Sequence, residues 1–169
     1  IIYHQITELY FKLINWELKQ LAMYAAVTDS DIAKHVSRIN RYWDNLINSY
    51  DIMLLGMEND QFMRFRMSLL PASGFQSFQF RLVEISSTSL WNLVDIHFKA
   101  QCTSDTELEV LFEHLYWKTG AQELSSGKKT LTLQQFEQKY TRKLLRHSNQ
   151  FKEKNLSVLA YKLHTNNVL

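Results

Sequence analysis

Two short stretches of the chain concentrate the residue types that do chemistry. The first, Tyr3-His4-Gln5-Ile6-Thr7-Glu8, sets a carboxylate four residues after an imidazole. On a helix those positions share a face, one turn apart. A carboxylate there can orient the ring or hold it charged, and a neutral imidazole can accept a proton near neutral pH. The second places Leu70-Pro71-Ala72-Ser73-Gly74-Phe75-Gln76-Ser77 between Arg64, Arg66 and Arg81. Guanidinium forks read carboxylates bidentately. Hydroxyls, a glycine and backbone N–H groups beside a helix start form a cradle for an anion or ligand. Each feature also has a plainer reading: a solvated His–Glu pair, arginines as surface charges, and Ser73 as a helix cap.

Other chemistries find no support. The six histidines, His4, His35, His97, His114, His147 and His164, form no pair at metal-ligand spacing. Cys102 is alone, so neither a disulfide framework nor a multi-cysteine zinc site is expected. There is no nucleophile elbow, phosphate loop or dinucleotide fingerprint. A net charge of +2 without a basic stripe argues against nucleic acid. No apolar run approaches the roughly 18 residues of a membrane span, and no signal peptide is visible. A cytoplasmic protein with no membrane partner is the expectation. The chain starts at Ile1 inside an amphipathic helix, with no Met, and reads as a fragment.

The elements that must position these residues read as helices. Gly numbers 4 and Pro 1, too few breakers for a many-turned β protein. Ile2, Ile6, Leu9, Leu13 and Trp16 mark a helix over 2–23. After cap candidates at Thr28 to Asp31, Ile32, Val36, Ile39, Trp43, Leu46, Tyr50 and Met53 continue the same spacing to an end at Gly56. The short connection makes these two helices antiparallel neighbours. A short helix over 59–67, capped by Asn59, precedes the break at Leu70 to Gly74. Further helices are expected from Phe75 to Glu84, over 89–100 and over 104–118, with a polar joint at Ser86 to Ser89. Gly120 to Lys129 is the most polar, loop-like segment, and 120–130 reads as a mobile loop. Thr132 then caps a helix from Leu133 to about His147, and a last helix spans 152–163. The expectation is one all-α domain over 1–169, a bundle of long antiparallel helices.

Taken together, the two stretches resemble the tryptophan 2,3-dioxygenase family. That family's His-Gln-x-x-Glu-Leu-x-Phe-Lys pattern is met by His4, Gln5, Glu8, Leu9, Phe11 and Lys12. Its Arg, Pro-x-Ser-Gly-Phe-Gln-Ser loop and Gln-aromatic-Arg triplet are met by Arg66, Pro71 to Ser77, and Gln79, Phe80 and Arg81. The resemblance is strong over 1–92 and looser beyond. It implies a haem-dependent dioxygenase, a cytoplasmic homotetramer with a haem b pocket. Such an enzyme opens the indole ring of L-tryptophan with O2, giving N-formylkynurenine in the kynurenine pathway. It implies that His4 contacts the indole N–H as the catalytic residue and that Arg66 grips the substrate carboxylate. Phe62 stands where many members have a Tyr that also touches that carboxylate. Leu69 would line the indole pocket, and Ser73 and Gly74 would approach the haem edge. The chain departs from the family at several places. The distal-pocket Phe four residues before the family's His would fall before Ile1. Asp51 replaces a Trp near the propionates, no Trp-x-x-x-His context offers a proximal iron ligand, and no Gly-Thr-Gly-Gly-like loop follows. A haemless relative that binds an indole ligand, or only assembles with partners, is the alternative expectation.

Overall fold

The computed structural model describes residues 2–56, 58–61, 63–64, 77–103, 105–119, 121–122 and 127–166. Helix α1 (Ile2–Met23) and helix α2 (Asp29–Gly56) are the long pair expected from the periodicity. Thr28 starts α2: its Oγ1 accepts from Asp31 N, while Asp31 Oδ2 accepts from both Thr28 N and Thr28 Oγ1. The two helices are antiparallel. Tyr3 near the start of α1 meets Ser49 near the end of α2 at 2.8 Å, and Tyr24 meets His35 at the other end.

The buried face of α1 is offset from the stripe read along the sequence. Phe11, Ile14, Leu18 and Leu21 are buried, whereas Leu9 and Trp16 are 60% and 63% exposed. Both sets keep a helical spacing; the packing partners decide which faces inward.

Helix α3 (Phe78–Ser87) is capped by Ser77, whose side chain accepts from Phe80 N. It starts three residues later than expected, and it absorbs Ser86, which is buried within it rather than part of a polar joint. Val83 joins the core formed with Phe11, Ile14, Ile39 and Leu46, while Ile85 joins a second core with Phe112, Leu115, Leu133 and Leu144. One helix is thus the wall shared by both cores. That is the packing that ties the first stretch to the rest of the fold.

The region 89–119 is more broken than expected. A 3₁₀ turn (Leu90–Leu93) is followed by α4 (Ile96–Lys99), α5 (Leu108–Glu113) and α6 (Tyr116–Thr119). Asp95 interrupts the first expected helix by accepting from His97 N and starting a new turn. Val94 pairs with Leu115 in an isolated bridge, and Asp95 N donates to His114 O at 2.8 Å. This long-range pairing breaks both expected helices at facing positions. No strand occurs among the described residues; Val94–Leu115 and Gln122–Lys129 are isolated bridges.

Helix α7 (Leu131–Phe151) runs four residues beyond the expected end, and α8 (Leu156–Asn166) follows. The cap of α7 is Thr130, not Thr132, because Thr130 Oγ1 accepts from Leu133 N. The same hydroxyl donates to Ala121 O at 2.9 Å, closing the 121–130 excursion. Thr130→Ala should cost about 1 kcal/mol, lowering the melting midpoint by roughly 2–4 °C. Calorimetry checks this, and an unchanged midpoint would mean the cap is idle. Asn155 Oδ1 accepts from Val158 N at the start of α8. Lys118, buried in α6, is held between Glu113 at 3.2 Å and Glu137 at 2.8 Å.

Candidate functional site

His4 stands in the first turns of α1 and is exposed. Positions 4, 8, 11 and 15 share one helix face. On that face Phe11 lies against Phe80, with ring centroids 5.1 Å apart, and against Trp43 at 5.7 Å. Gln79 Nε2 donates to Glu8 O at 2.9 Å and to Glu8 Oε2 at 3.0 Å. Asn15 Nδ2 donates back to the main-chain oxygen of Gln79 at 2.9 Å. The face that carries His4 is therefore the face α1 turns toward the first turn of α3.

This geometry corrects the pairing read from the first stretch. The Glu8 carboxylate is engaged by Gln79, a residue 71 positions away, and is not the partner that orients His4. Of the other expected site residues, Phe62, Arg66, Leu69, Ser73 and Gly74 lie outside the described residues. The reading of 120–130 as a mobile loop falls partly outside them as well. Gln79 and Asn15 were not singled out as site residues. Gln79 did stand in the Gln-Phe-Arg triplet, and Asn15 is a polar residue on the His4 face.

Arg81 is not a surface charge. It is 4% exposed, pairs through Nη1 with Glu84 Oε2 at 2.8 Å, and lies over the rings of Phe80, Trp117 and Tyr116. Tyr116 donates a short hydrogen bond to Glu84 Oε1. Burial pushes the Glu84 carboxyl up, against the opposing pull of Arg81 and the Tyr116 hydroxyl. Desolvated charge of this kind is stable only when paired and stacked, as here. The triplet therefore splits its work: Gln79 holds α1, Phe80 fills the core between them, and Arg81 fastens α6.

A second polar cluster locks α1 to α2. Glu17 and His35 are both buried, and His35 Nδ1 donates to Glu17 Oε2 at 2.7 Å. Arg38 Nη2 donates to the same oxygen at 2.7 Å, and the Tyr42 hydroxyl donates to Oε1 at 3.4 Å. Arg38 Nη2 also lies 3.0 Å from His35 Nδ1. Both atoms are donors here, so their proximity reflects convergence on one carboxylate oxygen. Burial pushes the Glu17 carboxyl up, but the hydrogen bonds and charges of Arg38 and His35 outweigh it and hold the group below its usual value.

A proximal iron ligand needs one imidazole nitrogen open to a flat cavity and the other held by an acceptor. His35 has the acceptor, Glu17, but its Nε2 is within 3.1 Å of the Tyr24 hydroxyl and the ring is 1% exposed. His147 Nε2 is occupied by Ser86 Oγ at 2.7 Å. His114 is stacked on Phe98, and His97 and His164 are exposed. None of these described imidazoles fits an axial position. No group of three or more His, Cys, Asp or Glu that could hold a metal occurs among the described residues. A separate cleft of about 610 Å³ opens between Trp91, Leu108, Phe151 and Asn155, away from His4.

A family model described as tryptophan 2,3-dioxygenase matches residues 1–111. Relatives carrying that name include one from Alteromonas mediterranea, 40% identical over 91 residues, which is 51% of this chain and 25% of the relative. One from Ruegeria sp. is 38% identical over 86 residues, covering 50% of this chain and 30% of the relative. One from Geobacillus thermodenitrificans is 39% identical over 89 residues, covering 51% and 31%. The matched stretch thus spans between a quarter and a third of each of these relatives. No solved structure matches the chain.

Proposed function

The chain belongs to the tryptophan 2,3-dioxygenase family, and from that premise we propose that it supplies the substrate-recognition side of an L-tryptophan pocket. The pocket would serve an oxidoreductase that opens the indole ring with O2 to give N-formylkynurenine. One observation supports this most. Two signature stretches far apart in sequence are fastened together, because the face of α1 that carries His4 is bonded to Gln79, directly after the segment 65–76.

The His4 imidazole would accept the indole N–H and set the ring's orientation. Arg66 takes the substrate carboxylate with its planar fork. Phe62 replaces a hydroxyl-bearing ring, which removes one hydrogen bond of about 1 kcal/mol from the carboxylate end. By the family resemblance, Leu69 would line the indole slot, and Ser73 and Gly74 would approach the cofactor. Haem b, the cofactor of the family, would supply the iron that activates O2. The described residues bring no axial ligand, so their part is recognition. No described helix is long and apolar enough to cross a membrane, and a cytoplasmic homotetramer belongs to this proposal.

The test is calorimetric titration of L-tryptophan and of free indole into the wild-type chain and Arg66→Ala. A bidentate charge-assisted contact is worth about 1.5–3 kcal/mol, so Arg66→Ala should weaken L-tryptophan about ten- to a hundredfold. Indole, which lacks the carboxylate, should bind both chains alike. Equal losses for the two ligands, or no L-tryptophan binding by the wild type, would sink the proposal. The second reading is a haemless indole-binding relative. Haem added to the protein decides between them: a Soret band supports the dioxygenase, and tryptophan binding without one supports the relative.

A further inference from the structure

We propose that Gln79 is a positioning residue: its side-chain amide fixes the His4 turn of α1 against the start of α3. Three hydrogen bonds carry this. Gln79 Nε2 spans both the main chain and the carboxylate of Glu8, and its main-chain oxygen receives Asn15 Nδ2. Glu8 is one turn from His4 and Asn15 nearly two turns further, so Gln79 is gripped from two points along one helix face.

The amide is the right group for the place. A carboxamide offers two N–H donors, and here Nε2 serves two acceptors that belong to the same residue. A hydrocarbon of the same length would leave Glu8 Oε2 half-buried without that donor, and a carboxylate would set two acceptors against each other. Asn15 underlines the cost that the fold accepts. It is buried, and its Oδ1 has no hydrogen-bond partner among the described residues, yet its Nδ2 stays on Gln79. The aromatic contacts of Phe11 with Phe80 and Trp43 hold the helices together but are not directional in this way. The brace sets the register of α1 along α3, and so where His4 stands relative to Ser77 and the start of α3. Its effect on ligand binding rests on the tryptophan reading above; its effect on the helix does not.

The test uses Glu8→Gln, Gln79→Glu and the double variant, each in the full chain. Two readouts are taken: amide hydrogen exchange of residues 6–12 and the dissociation constant for L-tryptophan. Glu8→Gln keeps an acceptor for Gln79 Nε2 and should behave as wild type. Gln79→Glu faces Glu8 with a like charge and should speed exchange in 6–12 about tenfold and weaken L-tryptophan by a similar factor, with exchange in α7 unchanged. The double variant reverses donor and acceptor, since the amide introduced at position 8 can donate to the carboxylate introduced at position 79. It restores the side-chain bond but not the one to the main-chain oxygen of position 8, so it should recover about half of both losses. Unchanged exchange in 6–12, a rise spread evenly over the chain, or no recovery in the double variant would each overturn the brace. If exchange and recovery follow expectation while L-tryptophan affinity stays flat across the variants, the positioning role is overturned. If the wild type binds no L-tryptophan, the functional reading fails and the brace is decided by exchange and recovery alone.

Discussion

Glu17→Ala is expected to destabilise the fold by about 3 kcal/mol, lowering the melting midpoint by roughly 6–12 °C for a chain of this size. The carboxylate serves three donors, from His35, Arg38 and Tyr42. Removing it strands His35 Nδ1 in a site that is 1% exposed. Arg38 is different: its side chain is 36% exposed and can turn to water. The full penalty of about 3–5 kcal/mol for breaking a buried ion pair is therefore reduced to its lower end. Glu17→Gln keeps two acceptor lone pairs and the side-chain volume, so it should lose about half as much. Thermal unfolding of both variants checks the ordering. Equal losses for alanine and glutamine would show that the negative charge, which both variants remove, carries the stabilisation, and that the retained volume and acceptor do not.

The cluster also shows why a function carried on α1 needs a rigid α2. Glu17 lies three turns or more from His4, well beyond any direct contact. What it controls is whether α1 can slide or roll on α2. Gln79 controls the same helix against α3 near its other end. Two independent locks on one helix leave its His4 turn with a single position, which suits a residue that must meet a flat ring at hydrogen-bond distance.

The long helices were legible because their spacing is dictated by the residues themselves. Ile32, Ile39 and Leu46 recur on one face of α2 whatever α2 packs against. The face of α1 that is buried was not legible, since Leu9 and Trp16 keep the same period as Phe11 and Leu18. The breaks at Val94 and Leu115 depend on those two residues meeting across the fold, which no local propensity encodes. Arg81 read as a surface charge for the same reason: two of its three aromatic neighbours, Tyr116 and Trp117, lie 35 and 36 positions away. At the site, the types and order of residues marked His4 and the 66–81 stretch. The Glu8–Gln79 bond competes with the local i,i+4 pairing of His4 and Glu8 and wins, because an amide held by two acceptors outweighs a solvent-exposed ion pair worth only about 0.2–0.5 kcal/mol.

Stability should fall by about 3 kcal/mol as the pH is lowered from 7 to 4, through one imidazole. His147 joins α7 to α3: its Nε2 lies 2.7 Å from Ser86 Oγ, and its ring stacks on Phe151 at 4.3 Å. Burial, with a smaller contribution from the positive charge of Lys19, holds its pKa down to about 4 from the usual 6.5. Between those values the unfolded chain binds a proton that the folded chain does not, so stability rises with pH across that window. The contribution is complete above about pH 6.5 and is lost as the pH falls to about 4. Glu17 adds acid lability of its own at the low end, since its carboxyl is held below the usual value and must protonate on further acidification. His147→Gln isolates the imidazole. Glutamine can still meet Ser86 but does not titrate in this range, and the carboxylates are common to both chains. Urea unfolding at pH 7, 5.5 and 4 should show the wild type losing about 3 kcal/mol more than His147→Gln, whatever offset the lost ring stacking adds at pH 7. Parallel stability curves for the two chains would mean that the imidazole takes up its proton without leaving the Ser86 contact, and that the acid sensitivity of the α3–α7 joint lies elsewhere.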